Sequence, residues 1–352
     1  MTTITEVLAR AKAEATETTT FDFEGYVVRF VSNSPTLVEE LKDYYKHFIG
    51  SEDASINCVV EGLQTETPEV TGDWDIKQPE PGKSRVKEHI LETEDGKVIR
   101  KVLTGVHLFY AGNRRICAGP LTDNPNQVVN FINNMLLDHL LAPAGQLFHA
   151  AGVCRGDFGI GMAGQSGKGK STLALRLLQR GMDLVSNDRL VVYPNNDNSL
   201  HMHGIPKYPR INPGTVINQP ELRNIATPEN IARYESMPLN ELWELEEKYD
   251  AFIEDAFNVK FQLGTTMRMF VALDWDRNSS EPTTLTKQDP ASCPALVETI
   301  MKLPGIMLPE SGKRIPTVNV EPYIELLRRC DFYALSGGVD FDSAADQVMA
   351  LV

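Results

Sequence analysis

Residues 164–171 read Gly-Gln-Ser-Gly-Lys-Gly-Lys-Ser, a complete G-x-x-x-x-G-K-[ST] signature, and few short stretches restrict a fold as strongly. A short apolar strand, GIGMA, precedes it. After it comes STLALRLLQRG, with Leu173, Leu175, Leu177 and Leu178 at helical spacing and Gly181 at the expected C-cap. Strand, glycine loop and helix in that order make an anion cradle. The glycines let the backbone curl with its N–H groups inward, where they and the positive end of the helix dipole meet a phosphate. In such a cradle Lys170 reaches the β- and γ-phosphates of a nucleotide as a point charge. Ser171 offers its hydroxyl to magnesium, with Thr172 as an auxiliary hydroxyl. Gly164, Gln165, Ser166, Gly167, Lys168 and Gly169 complete the loop, and Lys168 either adds charge beside the phosphates or projects into solvent.

Phosphate loops of this type work with a carboxylate, usually delivered by the end of a nearby strand, that holds magnesium directly or through water. Here MDLVSND follows the helix at once, so Asp188 is the candidate acid at the tip of the very next strand. That short connection suits a small kinase-type core better than a motor ATPase. His149, in LFHAAGV one hairpin before the loop, is expected on the strand beside the loop strand. It is a candidate proton carrier or orienter of a carboxylate, weighed against an ordinary core histidine. His201 and His203 share a strand face in LHMHG without an evident third ligand and read as structural.

The formal net charge of -14 argues against a nucleic-acid partner, because affinity for a polyanion starts with phosphate neutralisation by Lys and Arg. The N-terminus carries Glu6, Glu14 and Glu17 and no uninterrupted apolar run, so neither a secretory signal nor a transit peptide is expected. FINNMLLDHLLAPAGQLFHAAGV, the most apolar stretch, is broken by Asn133, Asn134, Asp138 and Pro143 and cannot span a bilayer as one clean helix. Five scattered cysteines without a C-x-x-C pair read as reduced thiols, with zinc improbable. A cytoplasmic protein with no membrane partner is the expectation.

Two domains are expected, 1–145 and 146–352. The first reads as a β-rich α+β portion of unknown role, mostly antiparallel, with helices at TEVLARAKAEA and PTLVEELKDYYKHFIG and hairpin turns at Asp95-Gly96 and Gly112-Asn113. Residues 64–84 read as an exposed excursion whose Trp74 either anchors a partner or folds back on its own domain. NPNQVVNFINNMLLDHLLAPAG predicts a helix from Asn124-Pro125 that stops before Pro143 and Gly145. In the second domain, strands are predicted at DLVSNDRLVVYP, SLHMHGI, MRMFVALDW and DFYALSGG. Helices are predicted at NELWELEEKYDAFIEDAF, CPALVETIMKL, EPYIELLRRC and the C-terminus.

The run HAAGVCRGDFGIGMAGQSGKGKSTLALRLLQRGMDLVSNDRL resembles the catalytic core of bacterial HPr kinase/phosphorylase over about residues 146–192. In that family a histidine leads a hairpin into a G-x-S-G-x-G-K-S loop, followed by a helix and an Asp-Asp-Arg-like strand end. The layout is similar to the HPr-kinase-related branch, kinase B type. The resemblance implies an α/β fold of the HPr kinase and phosphoenolpyruvate carboxykinase-like type, with ATP and Mg2+ as cofactors. It also implies phosphorylation of a serine on a small carrier protein, which bifunctional members reverse by phosphorolysis. By the same resemblance His149 falls on the active-site histidine, 164–171 on the ATP loop and Asp188 on the second acid of an acidic pair.

Three positions depart from the family. Asn187 stands where the first acid acts as general base, and an amide cannot take up a proton. HGIPKYPRINPG replaces an Arg-Gly signature, leaving Lys207 and Arg210 as candidate phosphate or substrate contacts. The N-terminal portion does not resemble the family's regulatory domain. The leading expectation is a kinase acting on a protein hydroxyl, with a small-molecule or carboxykinase-like kinase and a non-catalytic ATP-sensing scaffold as alternatives. A homo-oligomer stays open.

Overall fold

The computed structural model of the chain describes residues 4–78, 85–94, 96–142, 145–165, 167–238, 241–242, 245, 247–309 and 319–352. The chain divides into two compact units. One is Met1–His139 with Gly305–Gly312, the other Leu140–Pro304 with Lys313–Val352. No helix among the described residues is long and apolar enough to cross a membrane.

The first unit is built on an eight-stranded sheet. Its strands are β1 (Glu17–Phe23), β2 (Tyr26–Ser32), β3 (Cys58–Gln64), β4 (Asp75–Ile76), β5 (Glu88–Thr93), β6 (Gly96–Lys101), β7 (His107–Ala111) and β8 (Arg114–Gly119), in the order β1-β2-β3-β8-β7-β6-β5-β4. Hairpins dominate, as the turn signals predict. Gly112, with φ +56°, turns β7 into β8, and Gly96 opens β6 opposite Thr93, while Asp95 lies outside the described residues.

Two pairings, β2–β3 and β3–β8, are parallel, so the sheet is mixed. Parallel neighbours need a crossover. α2 (Pro35–Tyr44) supplies the first: Ser34 caps it by accepting the Leu37 N–H, Pro35 sits in its first turn, and Leu37, Val38 and Leu41 are buried. α1 (Ile4–Glu14) buries Val7 and Ala11 in a cluster with Leu63, Val98, Phe109 and Ile116. Trp74 packs against this same cluster and donates its indole N–H to the Val70 carbonyl, so it folds back on its own unit. α3 (Pro125–Leu141) runs through the division between the units. Its buried Asn133 accepts the Tyr45 hydroxyl at 2.9 Å, and Asn134 donates to the Asn130 carbonyl, so the amides that interrupt the apolar run are satisfied inside the fold.

The second unit holds a nine-stranded mixed sheet. It comprises β9 (Gln146–Phe148), β10 (Ala151–Arg155), β11 (Phe158–Ala163), β12 (Asp183–Ser186), β13 (Leu190–Pro194), β14 (Leu200–Gly204), and, after the small pair β15 (Arg210–Ile211) and β16 (Tyr249–Asp250), β17 (Gly264–Leu273), β18 (Thr284–Lys287) and β19 (Asp331–Ser336). β11, β17 and β19 run parallel. β10 is antiparallel to β11 with Ala151 opposite Met162, and β12 is antiparallel to β10 with Ser186 opposite Gly152. The carboxyl ends of β11, β12 and β17 therefore share one sheet edge with the amino end of β10. The links β9–β10 (149–150) and β12–β13 (187–189) stand there too.

α4 (Lys170–Leu178) follows β11 and buries Leu173, Leu175, Leu177 and Leu178. The turn after it closes through Gly181, in the left-handed region at φ +81°. Elsewhere the core joins Phe148, Val185, Leu190, Met202 and Phe270 to Val297, Ile300, Tyr323 and Leu326. The last four come from or adjoin α8 (Pro294–Glu298) and α9 (Glu321–Leu327). Between β14 and β17 lie α5 (Pro213–Asn218), α6 (Pro228–Glu235) and α7 (Ile253–Phe257), and α10 (Phe341–Met349) closes the chain.

The long helix predicted over 240–257 does not form. Tyr249–Asp250 pairs with Arg210–Ile211, Ala251 N–H donates to the Pro209 carbonyl, and only Ile253–Phe257 is helical within 247–257. Leu242, Ala251 and Ile253 are buried, but only Ile253 lies in this helix, and Ala251 stands between it and the strand. The helix predicted over CPALVETIMKL is shorter as well. It spans Pro294–Glu298, and Met301 has already left it to bridge to Phe148.

β14 ends in close contact with β12. A Cβ on Gly204 would stand 1.8 Å from the Val185 carbonyl oxygen, a backbone atom that cannot swing away. Gly204→Ala is expected to lower unfolding stability by about 3 kcal/mol, read from a urea titration of the full chain. An unchanged midpoint would contradict this approach of the two strands.

Candidate functional site

The glycine loop leaves β11 at Ala163 and enters α4 at Lys170. Gly167 and Gly169 have φ of +82° and +94°, left-handed conformations that glycine adopts without a Cβ penalty. Gly169 is the N-cap, and no side chain bonds the helix end, so the N–H groups of the first turn face the loop hollow uncapped. Lys170 Nζ donates to the Gly164 carbonyl at 3.2 Å. Ser171 and Thr172 are half-buried in the first turn, Gln165 is exposed with its carbonyl accepting the Lys168 N–H, and Ser166 lies outside the described residues.

Lys168 takes neither of the two places expected of it. Its Nζ donates to the Trp275 carbonyl at 2.6 Å, and the Trp275 indole N–H donates back to the Lys168 carbonyl at 2.8 Å. Arg277 donates to the Gly167 carbonyl at 2.6 Å. The chain just after β17 therefore clasps the loop from outside. Trp275 is buried edge-on against Phe341 at the start of α10, whose ring also lies under Gly169.

At the same sheet edge His149 lies in the two-residue break between β9 and β10, not on a strand. Its N–H donates to the Ile300 carbonyl at 2.6 Å, and its Nε2 stands 3.1 Å from Asp188 Oδ1. The other oxygen, Oδ2, faces Lys302 Nζ at 3.5 Å and Arg189 Nε at 3.9 Å. Ser186 Oγ accepts the backbone N–H groups of Arg189 and Ile205 and so shapes the turn that presents Asp188. Asn187 Oδ1 is buried with no hydrogen-bond partner among the described residues.

Burial would push the Asp188 carboxyl up, but the His149 hydrogen bond and the charges of Lys302, His149 and Arg189 outweigh it. The group is held well below the usual carboxylate range. Asp188 is therefore a stable anion and a poor proton acceptor. Burial lowers the Lys170 ammonium, Asp188 opposes that shift, and the charge of Lys302 adds to it. Lys207 is lowered by burial and then by Arg189 and Arg210, against Asp188 and Asp250, so it belongs to the same charged neighbourhood. Arg210 is exposed and pairs with Asp250 at 3.4 Å across β15–β16.

Among the described residues no group of three or more His, Cys, Asp or Glu side chains is arranged to hold a metal alone. Magnesium seldom needs one, since it keeps several waters and takes one or two carboxylates plus substrate phosphates. The Ser171 hydroxyl and the ionised Asp188 are hard oxygen donors that suit it. The contacts of Oδ2 at 3.5 and 3.9 Å are longer than hydrogen bonds and leave that oxygen able to change partner.

Sequence reasoning missed Lys302, Trp275 and Arg277, and gave Arg189 no role. The first three have no local motif, because each acts on a partner far away in the chain, whereas Arg189 adjoins the acid it faces.

No protein-family model matches the chain, and no curated protein matches it. A similar solved structure is titled "Structure of the Hpr(Ser) kinase/phosphatase from Coxiella burnetii", with 12% sequence identity and a TM-score of 0.30 over 58% of this chain and 90% of that one. At that level the likeness carries no argument about activity, and the functional reading rests on the residues.

Proposed function

We propose that the second unit binds ATP at residues 164–172 and transfers the γ-phosphoryl group to a hydroxyl, most fittingly one on a protein. One observation carries this reading. The uncapped start of α4 with Lys170, and the anion Asp188 with His149, Lys302 and Arg189, meet at one sheet edge. Phosphoryl transfer asks chiefly for positioning and charge neutralisation, which such an edge supplies.

Asp188 is too acidic to serve as the base, and Asn187 has no proton affinity to offer. The proton falls to His149, which Asp188 orients through Nε2. The acceptor oxygen attacks the γ-phosphorus, the bond to the β–γ bridging oxygen breaks, ADP departs, and the hydroxyl proton passes to His149. Magnesium bound with the triphosphate would be held by Ser171 and Asp188 and would neutralise phosphate charge. A small anionic acceptor is the second reading, favoured by Arg189 and Lys207 beside Asp188.

Incubation with γ-labelled ATP and a lysate of the source organism separates the two by product size. Asp188→Asn is expected to lower labelling by about 100-fold or more. Full labelling by that variant, or no labelled product from the wild type, would sink the transferase reading.

A further inference from the structure

Lys302 lies outside every motif in the chain, yet its place is defined by the fold. Met301 bridges to Phe148 at the end of β9, the Lys302 N–H donates to the Leu147 carbonyl, and the Ile300 carbonyl accepts the His149 N–H. Residues 300–302 thus run beside 147–149. The half-buried side chain extends from there to the acid, with 27% of its surface exposed.

The charges at this edge do not balance. Asp188 is the one carboxylate within 4 Å of Lys302 or Arg189 among the described residues, and His149 already occupies its Oδ1. Lys170, in the loop, has a neutral carbonyl as its hydrogen-bond partner. Arg189 and Lys302 therefore share one anion, and Lys170 stands at the same sheet edge with only a neutral hydrogen-bond partner. Cations gathered at one edge around a single carboxylate favour an incoming anion. Lys170 belongs to the phosphate loop, and Lys302 reaches Asp188 at the same sheet edge where β11 ends and that loop begins.

We propose that Lys302 is a catalytic residue that grips the terminal phosphoryl group, exchanging Asp188 for the γ-phosphate when the triphosphate binds. Its distance of 3.5 Å from Oδ2 is longer than a hydrogen bond, so leaving the acid forfeits little. With Lys170 and Lys302 both on it, the γ-phosphoryl group is clamped by cations from two distant parts of the chain. Such a clamp makes the site a reader of ATP against ADP. The inference rests on the ATP-binding reading above.

Titration of the full-length protein with ATP and with ADP, each with magnesium, tests it. The wild type is expected to prefer ATP. Lys302→Met should weaken ATP by about ten- to a hundred-fold, the worth of a hydrogen bond between charged groups, and ADP by less than about threefold. Lys302→Arg should keep most of the preference. Equal losses for ATP and ADP would make Lys302 a mere support of Asp188 and overturn the proposal, as would no loss or a wild type that binds the two alike. A wild type that binds neither nucleotide defeats the underlying ATP-binding reading as well.

Discussion

Lys170→Ala is expected to lower phosphoryl transfer by about 1,000-fold and leave the fold standing. Removing one preorganised charge from a transferring group costs on that order. Stability should hold because Lys170 is a cation that burial already disfavours, with a single 3.2 Å bond to the Gly164 carbonyl. The measurement is labelled product per mole of protein, set beside a thermal unfolding midpoint. Unchanged transfer in a folded variant would remove the glycine loop from the chemistry. Lost transfer together with a collapsed midpoint would instead make Lys170 a structural residue.

The largest stability effect is expected at Trp275→Ala, about 3–5 kcal/mol, the usual range for emptying a fully buried aromatic site. Trp275 is 1% exposed, meets Phe341 edge-on with ring centroids 5.0 Å apart, and carries the indole N–H that satisfies the Lys168 carbonyl. The alanine variant keeps the backbone carbonyl that Lys168 Nζ uses but loses the ring and its donor, so the loop is released along one side. Trp275→Phe separates the two roles: it retains most of the volume and removes the N–H, for an expected loss of about 1 kcal/mol. Urea unfolding followed by circular dichroism reads both variants. A loss for alanine no larger than for phenylalanine would show that the ring does not support the loop.

These two residues differ in how far the sequence announces them. Lys170 sits in an eight-residue signature whose glycines, strand and helix are neighbours in the chain, and the structure has each element where the local pattern places it. The hairpins of the first unit were equally legible, since turn residues and alternation act over a few positions. The predicted helix over 240–257 failed because apolar spacing takes no account of the pairing of Tyr249–Asp250 with Arg210–Ile211, which lies some way back in the chain. His149 was found but misplaced. A strand was expected, and the structure puts it in a break whose N–H is taken up by Ile300, far along the chain.

The sequence by itself determined the local conformations: where glycine permits a left-handed turn, where a helix starts uncapped, and which strand precedes it. It determined these because backbone sterics and side-chain periodicity operate between residues a few positions apart. Only the tertiary structure decided the company that Asp188 keeps. His149 and Lys302 join its neighbour Arg189 as partners through the order and direction of β9, β10, β12 and β13, and through the 300–302 segment laid beside β9. Coulomb interactions depend on distance in space. Separation along the chain says nothing of that distance until the sheet has closed.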